Sequence, residues 1–249
     1  MSASRLVVVT GSARRIGAAV VRHLHGAGMD AVVHYRRSAA DAHALVAELD
    51  AKRPGSAIAV QADLASAGGC ARLIEQAAGW QQRIDYLVNN ASSFYRTPIG
   101  SVSEAQWNEL VDGNAKAAFF ATQAALPWLR RSGRGAVVNV CDTRTERPLP
   151  QFGVYTAAKA GLVALTRALA LELAPEVRVN AVAPGSLDWP EHAGVFSPPE
   201  RDAIERAIPL RRLGSGADLA GAIEFLLTAG TYVTGHVLAV DGGSSLASC

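Results

Sequence analysis

Seven short apolar runs punctuate the chain: "RLVVVT" at 5–10, "DAVVHY" at 30–35, "SAIAVQ" at 56–61, "IDYLVN" at 84–89, "GAVVNV" at 135–140, "VRVNAV" at 177–182 and "HVLAVD" at 236–241. Within each run the apolar positions are nearly continuous rather than alternating, which predicts strands covered on both faces. Between most of them lie Ala-rich stretches with helical spacing. This alternation predicts the α/β class: a Rossmann-like, doubly wound, seven-stranded parallel sheet flanked by helices, with residues 1–249 forming a single domain.

One segment breaks the rhythm. Residues 186–212, "SLDWPEHAGVFSPPERDAIERAIPLRR", follow the sixth strand and carry Pro190, Pro198, Pro199 and Pro209. A connection this long in a compact domain usually serves function, and a lid over a substrate is expected here.

Composition narrows the partners. With 249 residues, 49% hydrophobic and 18% charged, the chain supports one large core. A net charge of +2 with no basic tail or aromatic-interleaved basic stripe argues against nucleic acid. A small-molecule partner is expected. Leu6 to Val9 is too short for a secretory core and no stretch holds 18 uninterrupted apolar residues, so a soluble, cytoplasmic protein without membrane contact is expected. Cys70, Cys141 and Cys249 are odd in number and lack metal spacing, and His23, His25, His34, His43, His192 and His236 show no metal-like cluster. No metal and no histidine role are expected.

The first strand runs into "TGSARRIGAAV", with Gly11 and Gly17 at the turn and Arg14, Arg15 and Ile16 between them. In an open α/β sheet the ligand crevice lies at the carboxyl ends of the strands, where a helix N-terminus offers free N–H groups to phosphate. The second strand closes with Tyr35, Arg36, Arg37 and Ser38, where an NAD enzyme would place an acid for the ribose 2′-hydroxyl. Two guanidiniums and a hydroxyl suit a 2′-phosphate, which favours NADP(H), although a solvated basic loop would read the same way. Asp63, followed by Leu64, either accepts from the adenine amino group or caps the next turn.

The chemistry-bearing residues sit further on. Asn89 and Asn90 close the fourth strand, Asn114 falls in the next long helix, and Tyr155 and Lys159 share a helix face at i, i+4. A free phenol, near pKa ~10, is a weak acid–base group at neutral pH, and a neighbouring ammonium is expected to lower that value. Thirteen residues before Tyr155 stands Asp142.

These residues, in order and at strand ends, resemble the short-chain dehydrogenase/reductase family over essentially the whole chain. The shared features are "TG" with Gly17, "NNA" at 89–91, Asn114, Tyr155 with Lys159, Pro184 with Gly185, and "VTG…DGG" at 233–243. The resemblance implies a nicotinamide-dependent oxidoreductase in which Tyr155 donates a proton, Lys159 holds the nicotinamide ribose and tunes the tyrosine, and Asn114 supports a water-linked relay. Ala91 and Ser186 complete the implied cofactor contacts. It also implies a homotetramer, for which "AKAAFFATQAALPWL" offers an apolar stripe.

Three positions depart from the generic pattern: Asp142 where a serine is usual, Arg15 in place of the middle glycine, and Ser92 where "NNAG" has glycine. Together with "HYRRSAA" and "NNASSFY" these resemble the pteridine reductase branch. The branch implies hydride transfer from NADPH to a dihydropterin such as dihydrobiopterin, dihydromonapterin or dihydrofolate. Phe94 would then stack on the pterin, unless it is an apolar plug. Arg15 would reach pyrophosphate and ring, Ser92 would bond either ring or phosphate, and Leu187 and Trp189 would line the substrate side, with Trp189 either closing over the pterin or packing. Reduction of C=N needs a proton at nitrogen, and a carboxyl bonded to Tyr155 can hold one, whereas the alternative for Asp142 is a turn cap. A generic carbonyl or 3-oxoacyl reductase would prefer Ser or Thr at 142. An NADPH-binding redox sensor would have no need of Asn114, Tyr155 and Lys159.

Overall fold

The computed structural model describes residues 4–189 and 196–246. Pro190, His192 and Cys249 lie outside the described residues. Seven strands, β1 (Leu6–Val9), β2 (Asp30–Tyr35), β3 (Ala57–Gln61), β4 (Tyr86–Asn89), β5 (Ala136–Val140), β6 (Arg178–Pro184) and β7 (Val237–Val240), form one sheet in the order β3-β2-β1-β4-β5-β6-β7. Every pairing is parallel. The seven expected strands are all present.

Helices α1 (Arg15–Gly26), α2 (Ala39–Lys52) and α8 (Gly216–Leu227) cover one face; α3 (Ala67–Gln81), α5 (Ala117–Arg131) and α6 (Gly153–Glu172) cover the other. β1 shows why its apolar run is continuous: Val7 and Val9 enter the first core, Leu6 and Val8 the second. α4 (Glu104–Val111) begins with a capping box, Ser103 with Gln106. α6 is long and apolar enough to cross a membrane by length and composition alone. Here it packs beside the sheet and presents Tyr155 and Lys159 inward.

Two sequence expectations change. Residues 186–212 are not wholly loop, because they contain α7 (Pro198–Ala207), opened by a Ser197–Glu200 capping box with proline at its first turn. Asn114 lies not within a regular helix but in a π turn, Asp112–Lys116, between α4 and α5. Such single widened turns recur at functional sites.

Polar ties hold the sheet's register. Asn89 Nδ2 donates to Asn139 Oδ1 at 2.9 Å, and Asn139 Nδ2 donates to Thr166 on α6 at 2.9 Å, all three buried. At the opposite end of β4, the fully buried Asp85 carboxylate accepts from the Leu6 N–H at 2.8 Å and from Arg83 at 2.7 and 2.9 Å. Removing that carboxylate orphans the Leu6 N–H at the start of β1. Asp85→Ala should therefore cost about 3 kcal/mol of unfolding free energy, read from the urea midpoint at unchanged slope.

Candidate active site

The strand order reverses between β1 and β4, and at their carboxyl ends a cleft of about 1000 Å³ opens. Its floor is the β1–α1 turn. Gly11 adopts φ +62°, and a Cβ there would stand 2.8 Å from Ala91 Cα; at Gly17 it would stand 2.5 Å from the Gly11 carbonyl. Only glycines permit so close an approach. Asn90 fastens the turn to β4, its Nδ2 donating to the Thr10 and Gly11 carbonyls at 2.9 and 3.0 Å. That amide is thus committed to the scaffold rather than offered whole to a cofactor.

His34, for which the sequence suggested no role, completes the turn. Its Nδ1 accepts from the Gly11 N–H at 2.8 Å and its Nε2 lies 3.1 Å from the Ala62 carbonyl, so the ring is neutral with the proton on Nε2. Burial holds its pKa down to about 4. The readable signal was its position one residue before the end of β2, beside the glycine turn.

Arg36 and Arg37 are exposed at the end of β2, beside Tyr35 and Ser38 on the cleft wall, with no side-chain ion pair among the described residues. Arg14 meets Asp41 at 3.8 Å. Arg15 occupies the left-handed region at φ +51°, where the generic pattern has glycine, and its guanidinium donates to the Asp188 and Trp189 carbonyls at 3.3 and 3.2 Å. It therefore ties the phosphate turn to the substrate loop. Asp63 accepts from the Ala65 N–H at 3.0 Å, so one oxygen caps the turn; Leu64 is buried beside it. Ile16 lines the same wall. Gly185, after Pro184, comes so close to Asp241 that a Cβ would lie 2.7 Å from the aspartate's own. Ser186 and Leu187 bond and pack against Gly214, and both line the cleft.

At the far end, Tyr155 and Lys159 rise from the first turns of α6, 5% and 2% exposed. The Tyr155 hydroxyl donates to Asp142 Oδ2 at 2.6 Å. Asp142 Oδ1 accepts from the Arg144 N–H at 2.8 Å, capping a 3₁₀ turn, Thr143–Thr145. One carboxylate oxygen thus caps the turn and the other accepts from Tyr155. Lys159 Nζ donates to the Val140 carbonyl at 2.7 Å and lies 5.9 Å from the Tyr155 ring centre. The expectation that the ammonium lowers the phenol's pKa is overturned: burial pushes Tyr155 well above its ordinary value, and the Asp142 carboxylate pushes further in the same direction. Burial lowers Lys159 in turn.

Phe94 lies edge-on to Tyr155 with centroids 4.8 Å apart and stacks one face on Phe152 at 4.7 Å. Phe94 packs as an apolar plug there and also lines the cleft. Ser92 donates to Asn114 Oδ1 at 2.7 Å, so its hydroxyl proton is engaged and its lone pairs alone are left to accept. Asn114 donates to the Ser93 and Leu110 carbonyls at 3.0 and 2.8 Å. Trp189 meets Phe196 edge-on at 6.0 Å with Arg201 5.3 Å from its ring. Its packing role is realised at the rim of the cleft. Cys70 and Cys141 are buried free thiols, raised to about 11 by burial. Among the described residues no group of three or more His, Cys, Asp or Glu side chains could hold a metal.

A family model described as enoyl-(acyl carrier protein) reductase matches residues 11–245. The chain belongs to the short-chain dehydrogenase/reductase family. As a member of that family it is an oxidoreductase. Among its relatives, 3beta-hydroxysteroid dehydrogenase 1 of Eggerthella lenta is 37% identical over 97% of this chain and 94% of that protein. Pteridine reductase 1 of Leishmania tarentolae is 37% identical over 97% and 96%. A 3-oxoacyl-[acyl-carrier-protein] reductase of Synechocystis sp. is 37% identical over 96% of each chain. Equal identity to three named activities leaves substrate choice to the side chains of the cleft.

The His34 linkage gives a pH test. A folded pKa near 4 against about 6.5 unfolded means that the unfolded chain binds the extra proton first as pH falls. Its stabilising contribution is full above pH 6.5 and declines toward pH 4, by about 3 kcal/mol. Urea unfolding between these limits should show that decline, and His34→Gln should be less stable at pH 7 yet follow a flatter profile.

Proposed function

We propose that this protein is an NADPH-dependent pteridine reductase that reduces a dihydropterin to its tetrahydro form. The observation that carries the reading is the 2.6 Å hydrogen bond from Tyr155 to Asp142, a carboxylate where carbonyl reduction favours a hydroxyl. The β1–α1 turn suits a dinucleotide, since Gly11 and Gly17 let its backbone pack tightly against Ala91 and Asn90 while the start of α1 borders the cleft. Gly11 and Gly17 would border the pyrophosphate, Arg36 and Arg37 the 2′-phosphate, and Lys159 the nicotinamide ribose. The bound nicotinamide supplies hydride. Tyr155 would turn its hydroxyl proton from Asp142 to the ring nitrogen, while Asp142 accepts from the amino-bearing edge of a pterin. Phe94, half-buried on the cleft wall, would offer the flat ring an aromatic contact that helps fix its orientation.

The second reading, a 3-oxoacyl reductase, is favoured by the equal identity to the Synechocystis protein. A side-by-side assay of NADPH oxidation with dihydrobiopterin, dihydrofolate and acetoacetyl-CoA separates the two. Turnover of the dihydropterins, with Asp142→Ser lowering it at least ~10-fold, is expected. Turnover of the thioester alone, or an Asp142→Ser variant as fast as wild type on dihydropterin, would replace the first reading by the second.

Cofactor choice follows from the two free guanidiniums. Replacing Arg36 and Arg37 together by Ala should cut kcat/KM for NADPH ~100-fold, about tenfold per charge-assisted contact, with NADH nearly unaffected. Equal efficiency of the wild type with both cofactors would remove the basis for NADPH.

A further inference from the structure

Proton delivery by Tyr155 creates an electrostatic problem that Lys159, although its ammonium is attracted by the Asp142 carboxylate, meets only in part. When the phenolic proton passes to a substrate atom and hydride arrives at its bonded neighbour, a phenolate remains within hydrogen-bonding distance of the Asp142 carboxylate. Two anions that close, in a site where Tyr155 is 5% exposed, repel strongly. Lys159 donates its ammonium to the Val140 carbonyl at 2.7 Å and stands 5.9 Å from the Tyr155 ring centre.

We propose that Arg144 is the countercharge that permits this step, acting through Asp142 as a positioning residue. The proposal rests on Tyr155 being the proton donor. Arg144 approaches the carboxylate from the side opposite Tyr155: its backbone N–H donates to Oδ1 at 2.8 Å and its Nε lies 3.9 Å from the same oxygen, leaving Oδ2 to the phenol. The two side chains are 18% and 14% exposed. Phe196 lies over the guanidinium, its ring centre 5.6 Å from Cζ, and limits the water that would screen the charge. Local structure explains the pose, because the Asp142-capped 3₁₀ turn folds the chain back so that residue 144 returns to the capping carboxylate. A guanidinium suits this position since it keeps its charge across the working pH range.

Other charged and titratable groups around the pair do not replace it. Lys159 comes from α6; the Cys141 thiol at the end of β5 is held protonated by burial; Arg96, over Phe152 and Phe196, is paired with Glu200 of α7 at 3.1 Å. Among the influences on the phenol, burial, Asp142 and Cys141 raise its pKa, whereas Arg144 lowers it.

During turnover Tyr155 gives its proton to the substrate nitrogen or oxygen, the hydride completes reduction of the double bond, and the phenolate regains a proton from water. Net charge on the Asp142, Arg144 and Tyr155 group passes from zero to minus one, rather than from minus one to minus two. The experiment compares wild type, Arg144→Met, Arg144→Gln, Arg144→Lys and Tyr155→Phe in NADPH oxidation with dihydrobiopterin, in H2O and D2O. Met and Gln should lower kcat at least tenfold with KM within threefold, enlarge the solvent isotope effect, and leave NADPH affinity by fluorescence titration unchanged. Lys should return kcat to within threefold of wild type. Met and Gln variants with wild-type kcat, or a Lys variant as slow as Met, would overturn the proposal. Wild-type activity in Tyr155→Phe would instead overturn the reading beneath it. Should only acetoacetyl-CoA be turned over, the pterin assignment fails and the same series is read on that substrate, because the countercharge concerns the phenol and not the molecule it protonates.

Discussion

The cleft depends on how closely two backbones approach at the sheet's reversal point. Gly11 lies against Ala91, Asn90 bonds back to the Thr10 and Gly11 carbonyls, and His34 receives the Gly11 N–H from the other flank. The β1–α1 turn is thereby clamped between β2 and β4. Such a turn holds its backbone with little remaining freedom, so any anion bound there would meet donors whose ordering cost is already met by folding. The clamp is also pH-limited, since a second proton on His34 would face the Gly11 N–H with another donor.

Much of this was legible in the chain. Continuous apolar runs announced a sheet covered on both faces, and Leu6 to Val9 divide between two cores as that implies. The i, i+4 spacing of Tyr155 and Lys159 placed both on the inner face of α6. What remained hidden depends on contacts distant in sequence. Nothing near His34 states that its ring will meet Gly11, and the direction of the Tyr155 shift turns on burial that spacing does not encode. The α7 helix is signalled differently: its prolines look like breakers, yet "SPPE" combines a first-turn proline with a capping box and so marks a helix start.

The two ends of the cleft are coupled through the substrate loop. Arg15 bonds the carbonyls of Asp188 and Trp189, while Phe196 beyond them lies against Phe152 and Arg144. The β1–α1 turn, Asp188, Trp189 and Phe196, and Arg144 beside Asp142 therefore share one run of contacts, and a shift of those loop residues would change packing at both ends.

Arg15 carries a wider lesson in its backbone. At φ +51° it holds a conformation that costs a side-chain-bearing residue roughly 1–2 kcal/mol and glycine almost nothing. Selection for thermal robustness alone would restore glycine there. An arginine in this strained pose gives up backbone stability for a grip on the loop, and a redesign that placed glycine at position 15 would relax the backbone while unfastening the cleft.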